Sequence, residues 1–397
     1  MLAIAVFLVL VTILVALVQS VAFTRLVRYV EAELSRQPGK QLPKASVILP
    51  CKGLDPAFRE NVEKLLNQDY PDFEVIFAVA QETDPAYSHL VELAARSPKP
   101  AKVIVAGVAA QRAQKINNQL HALEQIRSDS EVLVFVDSDV IARPDFLSRL
   151  VEPLTEDGVG VTTGYRFYIA SPTNCAAILR SLWNRVTAWE MANPKFAFAW
   201  GGAMAIRKTV FAEAGVREAW DKAADDDLSL TTSVKAKGLS VRFVPQCLVA
   251  SDGDAPFGEI MEWTNRQLIL TKVYYPELWK RAIARASFML VWLVMMLIAT
   301  GSYVATQDTS GLIAIAAGFT IVPVEVFFLL KARKLWQKIL VDHSEHLTES
   351  LLASCLAIPL AHAVLPFMTL ASLLTNRIQW RGVTYELKSP TETLVIG

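Results

Sequence analysis

Apolar residues along this 397-residue chain fall into a few long runs that flank a central region of shorter, alternating ones. Leu2 to Phe23 is almost uninterrupted apolar sequence. It is long enough to cross a bilayer core of ~30 Å. Phe288 to Thr306 and Leu312 to Leu330 read as two further spans joined by a short loop. Leu351 to Leu374 is another apolar stretch, broken by Pro359 and Pro366. It is too short for two spans and reads as one span, or as a kinked or re-entrant segment. The side on which the C-terminus lies stays open. Between the runs, from about Lys44 to Tyr275, the period changes. Ala45–Pro50, Phe73–Val79, Ala101–Ala106 and Glu131–Val136 read as strands, separated by helical stretches such as Phe58–Gln68 and Ala113–Gln125. Such alternation predicts an α/β domain built on a mostly parallel sheet.

Charge orients these pieces. No basic region precedes the first apolar run, so it reads as an uncleaved anchor rather than a secretory signal. Arg25, Arg28, Lys40 and Lys44 follow it. The positive-inside rule then puts the N-terminus outside and the central domain in the cytoplasm. Lys280, Arg281 and Arg285 precede the paired spans and Lys331, Arg333 and Lys334 follow them, while their loop carries only Asp308. A hairpin that leaves the cytoplasm and returns fits this bias. The expected layout is therefore an anchor (1–24), a catalytic domain (44–255), an interfacial amphipathic segment (256–286), a C-terminal transmembrane region (287–375) and a tail (376–397). In the interfacial segment, Trp263, Tyr274, Tyr275 and Trp279 mix with Arg266, Lys272, Lys280 and Arg281. That mixture suits the headgroup level, though an ordinary amphipathic helix packed on the domain has the same look.

Composition removes several classes. Hydrophobic residues make up 53%, high for a soluble protein, and the formal net charge is zero. Nothing in that balance suggests a nucleic acid partner. The four cysteines are scattered and support neither a disulfide framework nor a zinc site. His343 and His346 sit i, i+3 in a loop and read as solvated, whereas His362 lies in an apolar segment, where an ionisable group is a functional candidate.

The chemistry begins where the fourth strand stops, at Asp137-Ser138-Asp139. Ligands of open α/β sheets bind at the carboxyl ends of the strands. Hard cations such as Mg²⁺ and Mn²⁺ take carboxylate oxygens and bridge them to phosphates. A solvated turn is the ordinary alternative for such a sequence, and the same spacing recurs at Asp225–Asp227 and Asp252–Asp254. Asp225-Asp226-Asp227 opens an apparent helix that stops at Gly238. One acidic residue there would simply cap the helix and complement its dipole. Three in a row repel one another, so one needs a cation or a proton, and a carboxylate so placed suits a general base.

The order of these elements resembles the family-two glycosyltransferases, which use the nucleotide-sugar-binding fold called GT-A. Within them it is most similar to ceramide glucosyltransferases and their bacterial relatives. The residues that carry this are Leu49-Pro50-Cys51-Lys52-Gly53-Leu54-Asp55-Pro56, Tyr70-Pro71-Asp72-Phe73-Glu74-Val75, Asp84-Pro85-Ala86, Lys115-Ile116-Asn117-Asn118 and Asp137-Ser138-Asp139. Further on come Gly201-Gly202-Ala203-Met204 with Arg207-Lys208, the acidic triplet, and Gln379-Trp380-Arg381-Gly382.

The resemblance implies an α/β, GT-A-like sheet with flanking transmembrane helices. It implies an inverting, metal-dependent hexosyltransferase moving a sugar, with UDP-glucose as the leading donor, to a lipid hydroxyl. Ceramide, diacylglycerol, a hopanoid and polyprenyl phosphate are the candidate acceptors, and a bacterial inner membrane is the implied location. Asp84 would contact the nucleotide or shape its pocket, and Lys115, Asn118, Asp137, Gly202 and Arg266 would bind the nucleotide sugar. Asp137 and Asp139 would hold Mg²⁺ or Mn²⁺. Counting back from Gly238 makes Asp227 the general base, or Asp226 if the count shifts by one.

One departure stands out. Members of the family carry an Arg-Trp pair just before the second membrane region, and here Ile269 and Leu270 occupy those positions. Either Arg266 or Lys272 substitutes, or the activity is altered or weak. Trp183, Trp189, Trp200, Phe196 and Phe198 read either as core or as the lining of a sugar or lipid site. The alternatives are a processive polysaccharide synthase, for which three or four spans offer little channel wall, and a catalytically dead scaffold that keeps nucleotide binding.

Overall fold

A computed structural model describes residues 1–36 and 42–396. Lys40, one of the charges used above for orientation, lies outside the described residues. Seven strands form the central sheet: β1 (Ala45–Pro50), β2 (Phe73–Val79), β3 (Ala101–Val105), β4 (Val132–Val136), β5 (Val159–Ile169), β6 (Ala203–Arg207) and β7 (Ser240–Asp252), in the order 3-2-1-4-6-5-7. The first four agree with the sequence reading to within a residue at each end. Their pairings are parallel, with Val47 beside both Val75 and Val134. β1, β2 and β4 are buried throughout, as a parallel sheet covered on both faces requires.

β6 alone runs antiparallel, to β4 on one side and β5 on the other. That reversal positions the site. The register pairs Ala203, where β6 begins, with Val136, where β4 ends. Gly201 and Gly202 are thereby brought beside Asp137, whose backbone N–H donates to the Gly202 carbonyl at 3.2 Å. α2 (Phe58–Leu66), α3 (Pro85–Ala95), α4 (Gln114–Leu123), α5 (Phe146–Val151), α6 (Cys175–Glu190), α7 (Lys208–Glu213), α8 (Val216–Trp220) and α9 (Asp227–Ala236) complete the domain.

The N-terminal helix α1 (Leu2–Leu34) does not stop at Phe23. Its last turns dock on the sheet, where Leu26 and Val30 pack with Phe167 and Phe243. Tyr29 donates to the Phe243 carbonyl at 2.6 Å and Glu33 pairs with Arg242. The segment expected at the interface divides at Pro276. α10 (Phe257–Tyr274) ends there, and α11 (Pro276–Thr306) starts on that proline and runs unbroken into the apolar stretch. Pro is suited to the first helical turn, whose N–H groups have no partner. α12 (Thr309–Phe319) and α13 (Ile321–Ile339) form the return stroke, followed by α14 (Ser344–Glu349) and α15 (Leu351–Ala371). By length and composition, α1, α11, α12–α13 and α15 could each cross a membrane.

α15 stays helical through Pro359 and Pro366, and both its ends are tied to the domain side. Just before its start, Leu347 packs into the cluster of Phe167 and Phe243 from the sheet. At its end, Ser372 accepts from the Trp279 indole at 3.0 Å, and Lys272 donates to the Ser372 and Thr375 carbonyls. Leu352, Leu356 and Phe367 point outward and exposed. Both ends of this helix therefore meet segments that pack on the sheet domain. The chain then forms a small antiparallel sheet of β8 (Arg377–Trp380), β9 (Val383–Ser389) and β10 (Glu392–Val395). Ile378, Tyr385 and Leu387 are buried in one cluster with Phe135 and Trp220 of the domain. The C-terminus therefore lies on the domain side, which the sequence left open.

Candidate active site

Four chain segments converge at the carboxyl edge of the sheet. They are the end of β4, the start of β6, the first turn of α4 and the approach to α9. Lys115 ties them together. Its ammonium lies 2.9 Å from Asp137 Oδ1 and 3.0 Å from Asp226 Oδ2, and it donates to the Gly201 carbonyl at 3.1 Å. One turn further along α4, on the same face, Gln119 donates to Asp226 Oδ2 at 2.8 Å. The two glycines are sterically required. A Cβ on Gly201 would come within 2.6 Å of Lys115 Nζ and 2.9 Å of Asp226 Oδ2, and one on Gly202 would strike the Trp200 ring at 2.1 Å.

The repulsion expected within Asp225-Asp226-Asp227 is relieved in two ways. Asp226 takes the cation Lys115. Asp225 is pushed toward its neutral form: burial, then its two neighbours' charges, raise its carboxyl well above the ordinary range, and it shares a hydrogen bond with Asp227. Leu228 N–H caps onto Asp225 Oδ1 at 2.8 Å. Asp227 is raised to about 6 by burial and by the Asp226 charge, against the restraining hydrogen bonds of Asp225 and Gly201. The Gly201 N–H donates to Asp227 Oδ2 at 2.7 Å and fixes its aim. The outcome is one carboxylate whose proton affinity sits near neutrality, in a set whose other members are already compensated.

Asp137 is also raised, because burial outweighs Lys115. Asp139 goes the other way. Burial would raise it, but the Arg166 guanidinium grips both its oxygens, at 2.6 and 2.8 Å, and holds it down. Arg166 projects from β5, stacks over Trp200 at 5.0 Å and touches Ser251 at 3.1 Å. Sequence reading missed it, since one arginine in a strand carries no motif. It also missed Gln119, and it gave no role to Trp380 and Arg381.

The remaining expected residues divide. Asn118 lines the cavity but spends its amide on the Ala78 carbonyl (3.0 Å) and on Gln114 (2.8 Å). Asp84 is outside the cavity wall. Its Oδ1 accepts from Ala86 N–H, capping α3, and from Gly53 N–H, each at 2.9 Å. It thus shapes the Cys51–Gly53 loop, of which Cys51 and Lys52 face the cavity. Arg266 is on the wall and donates to the Gln379 carbonyl at 3.2 Å. Lys272, the other suggested substitute for the missing Arg-Trp pair, is not on the wall; it is used up on the end of α15. Ile269 and Leu270 are buried in the domain core.

A Trp-Arg pair nonetheless reaches the site from elsewhere. Trp380 and Arg381, at the tip of the β8–β9 hairpin, line the cavity. Arg381 adopts φ +48 before Gly382 at +80, the two positive values that a tight two-residue hairpin turn demands. It is bound to Asp55 at 2.8 Å and to the Lys52 carbonyl. Trp183, Trp189, Trp200, Phe196 and Phe198 all line the cavity as well.

That cavity encloses about 1380 Å³ and is continuous. It begins at Lys115, Asp137, Asp139, Gly202 and Asp225–Asp227, and passes the aromatic wall. It ends among Leu14 and Val18 of α1, Met289 and Trp292 of α11, Ile321 of α13 and Leu365 of α15.

A divalent ion was expected on Asp137 and Asp139. The donor chemistry suits one, since both are carboxylates at the end of a strand, facing the cavity. Among the described residues, however, no three His, Cys, Asp or Glu side chains converge as a metal cage, and Arg166 takes both oxygens of Asp139. An ion here would share these carboxylates with substrate oxygens, as Mg²⁺ commonly does with phosphates.

A seven-stranded, mostly parallel sheet whose edge sets an Asp-x-Asp turn against the acidic start of a helix is the arrangement that the resemblance to the GT-A glycosyltransferases implied. The family model for glycosyl transferase family 21 matches residues 6–393, and the chain belongs to that family. The motif resemblance had pointed to the ceramide glucosyltransferases. The chain is similar to ceramide glucosyltransferase 1 of Caenorhabditis elegans, 30% identical over 110 residues, which is 28% of this chain and 23% of that protein. The match therefore spans less than a quarter of that relative. Among solved structures, a mannosyltransferase from Pyrobaculum calidifontis in complex with GDP-Man and Mn²⁺ aligns over 88% of this chain and 98% of its own, at 16% identity and TM-score 0.43. Glucosyl-3-phosphoglycerate synthase from Mycobacterium tuberculosis aligns over 61% and 81%, at 18% identity and TM-score 0.38.

Proposed function

We propose that this protein transfers a sugar, with UDP-glucose as the first donor to test, to a hydroxyl of a membrane lipid on the cytoplasmic side, with inversion. The observation that carries this reading is the single cavity joining the acidic cluster to the apolar helices. A soluble acceptor would need no such extension between Met289, Trp292 and Leu365. The partial likeness to a ceramide glucosyltransferase makes ceramide the leading acceptor.

The residues take these parts. Asp227 accepts the proton of the attacking hydroxyl, since its affinity near pH 6 suits a base working at neutrality. Asp225 keeps its own proton and steadies Asp227. Lys115 and Arg166 hold Asp137 and Asp139 at the diphosphate position, and Arg381 and Arg266 bring further positive charge to the same end. Trp380 and Arg381 supply from the hairpin what Ile269 and Leu270 do not supply from α10. A divalent ion held by Asp137 and Asp139 would neutralise the charge that builds on the departing diphosphate.

The test is a lipid-extract assay with purified protein, labelled UDP-glucose, Mg²⁺ or Mn²⁺, and separate ceramide, diacylglycerol and hopanoid acceptors. A labelled glycolipid that vanishes with Asp227→Asn supports transfer. Polymeric product would favour a processive synthase. Donor binding without product from any sugar nucleotide would leave only a nucleotide-binding scaffold.

A further inference from the structure

The membrane end of the cavity is not uniformly apolar. Gln19 of α1, Glu325 of α13 and His362 of α15 meet on its wall, beside Trp292 and Ile321. His362 Nε2 is 3.2 Å from Glu325 Oε1, and Gln19 Nε2 reaches the same oxygen at 3.4 Å. The Trp292 ring centroid is 5.4 Å from that of the imidazole. Gln19 and Glu325 each lie roughly 9 Å of helix inward from the basic residues Arg25 and Lys331, at 1.5 Å per residue. This is beneath Arg25 and Lys331, with Arg285 the nearest further cation on the same wall.

Three polar side chains on three different helices, at one depth, are expensive to keep there without a use. Among the described residues, this cluster leaves one acceptor without a partner. His362 Nδ1 is 3.0 Å from the Ile358 carbonyl, which can only accept, so Nδ1 carries a proton. Nε2 and Glu325 then share one further proton between them. Gln19 donates into Glu325, and its own Oε1 is buried with no hydrogen-bond partner. What the cluster lacks is a donor.

We propose that Gln19, Glu325 and His362 form a subsite that reads an N–H or O–H on the lipid acceptor, separate from the hydroxyl that receives the sugar. The inference rests on the cavity being the acceptor site. The ligand class follows from the chemistry. A secondary amide or an additional hydroxyl supplies the missing donor. Ester-linked lipids such as diacylglycerol present only acceptor oxygens once their single hydroxyl is engaged, and they leave Gln19 Oε1 unmatched.

The experiment uses full-length protein in detergent and two matched lipid pairs. One pair is an N-acyl amino alcohol and its N-methyl amide. The other is a polyol lipid and the ether in which its extra hydroxyls are methylated. Thermal unfolding reports binding without turnover, and KM reports it during transfer. In the unsubstituted protein the donor-bearing member of at least one pair should raise the melting temperature more and bind about ten-fold tighter than its methylated partner. That ratio should collapse toward one in Gln19→Leu and in Glu325→Leu. Two variants are used so that a folding defect from stranding His362 in Glu325→Leu cannot decide the result alone. Equal behaviour within both pairs, or a ratio that survives in both variants, overturns the subsite. If the ratio appears in melting but no lipid is ever glycosylated, the subsite stands and the transferase reading fails. If both members of each pair are glycosylated alike, the transferase reading stands and the subsite fails.

Discussion

The two ends of the cavity handle polar groups in opposite ways. At the sheet end charge is dense and matched. Asp137 and Asp226 share Lys115, Asp139 has Arg166, and burial pushes Asp225 toward its neutral form beside Asp227. At the membrane end a lone carboxylate, imidazole and amide share a wall of Trp292, Ile321 and Leu365. A rigid sheet can fix many carboxylates because it also fixes their partners, and such preorganised charge is what stabilises a developing anion. Helices in an apolar layer cannot support that density. Under the proposed function, bond-making belongs to the sheet end and choice of acceptor to the helix end.

The sharpest way to break this division is at Asp227. Asp227→Asn should lower turnover about a thousand-fold, within the range seen for positioned general bases, while leaving donor binding measurable by calorimetry. Retained turnover would move the chemistry elsewhere. Lys115→Ala comes next. It strands Asp137 and Asp226 without their cation, so thermal unfolding should reveal a loss of roughly 3–5 kcal/mol, together with loss of donor binding. Gly202→Ala pushes a methyl group into the Trp200 ring, a strain of about 1–3 kcal/mol. It should depress donor binding without touching the membrane end.

Ala282→Trp tests the opposite side. It narrows the cavity on α11 and should slow transfer to lipid about ten-fold while sparing slow hydrolysis of the donor by water. Equal loss of both would blur the distinction between the ends. The smallest effect is in pH. With Asp227 raised to about 6, kcat/KM should fall progressively as pH drops below that value. Stability runs the other way. The folded state holds this proton more tightly than the unfolded chain, so Asp227 contributes stability that is complete below about pH 4 and lost as pH rises through about 6. Asp227→Asn should therefore melt higher than the unsubstituted protein at pH 7.

Most of the sheet end was legible in the sequence because its signals are local. A β-branched run that stops at Asp137, and acidic residues counted back from Gly238, mark the ends of elements, and the ends are where the site lies. Arg166 was invisible for the converse reason, being mid-strand, paired with Val249 of β7 and meeting Asp139 only once the sheet is formed. The course of α15 was hidden too. Its hydropathy matches a crossing helix, and only the bonds of Trp279 and Lys272 to its far end show that this end is tied to α10 and α11. Lys272 was a candidate for chemistry because its position in the chain is right, while its direction is not a property of sequence.

The burial of Ile378, Tyr385 and Leu387 beside Phe135 and Trp220 carries a consequence for synthesis. The part of the domain core around Phe135 and Trp220 is not covered until residues 378–387 have emerged, after the apolar helices α1 and α11 to α15 have been made. A chain whose helices are misplaced holds those three residues away from their pocket and stays incomplete. Assembly order is thereby written into the core, and competence arrives only once the helices are in position.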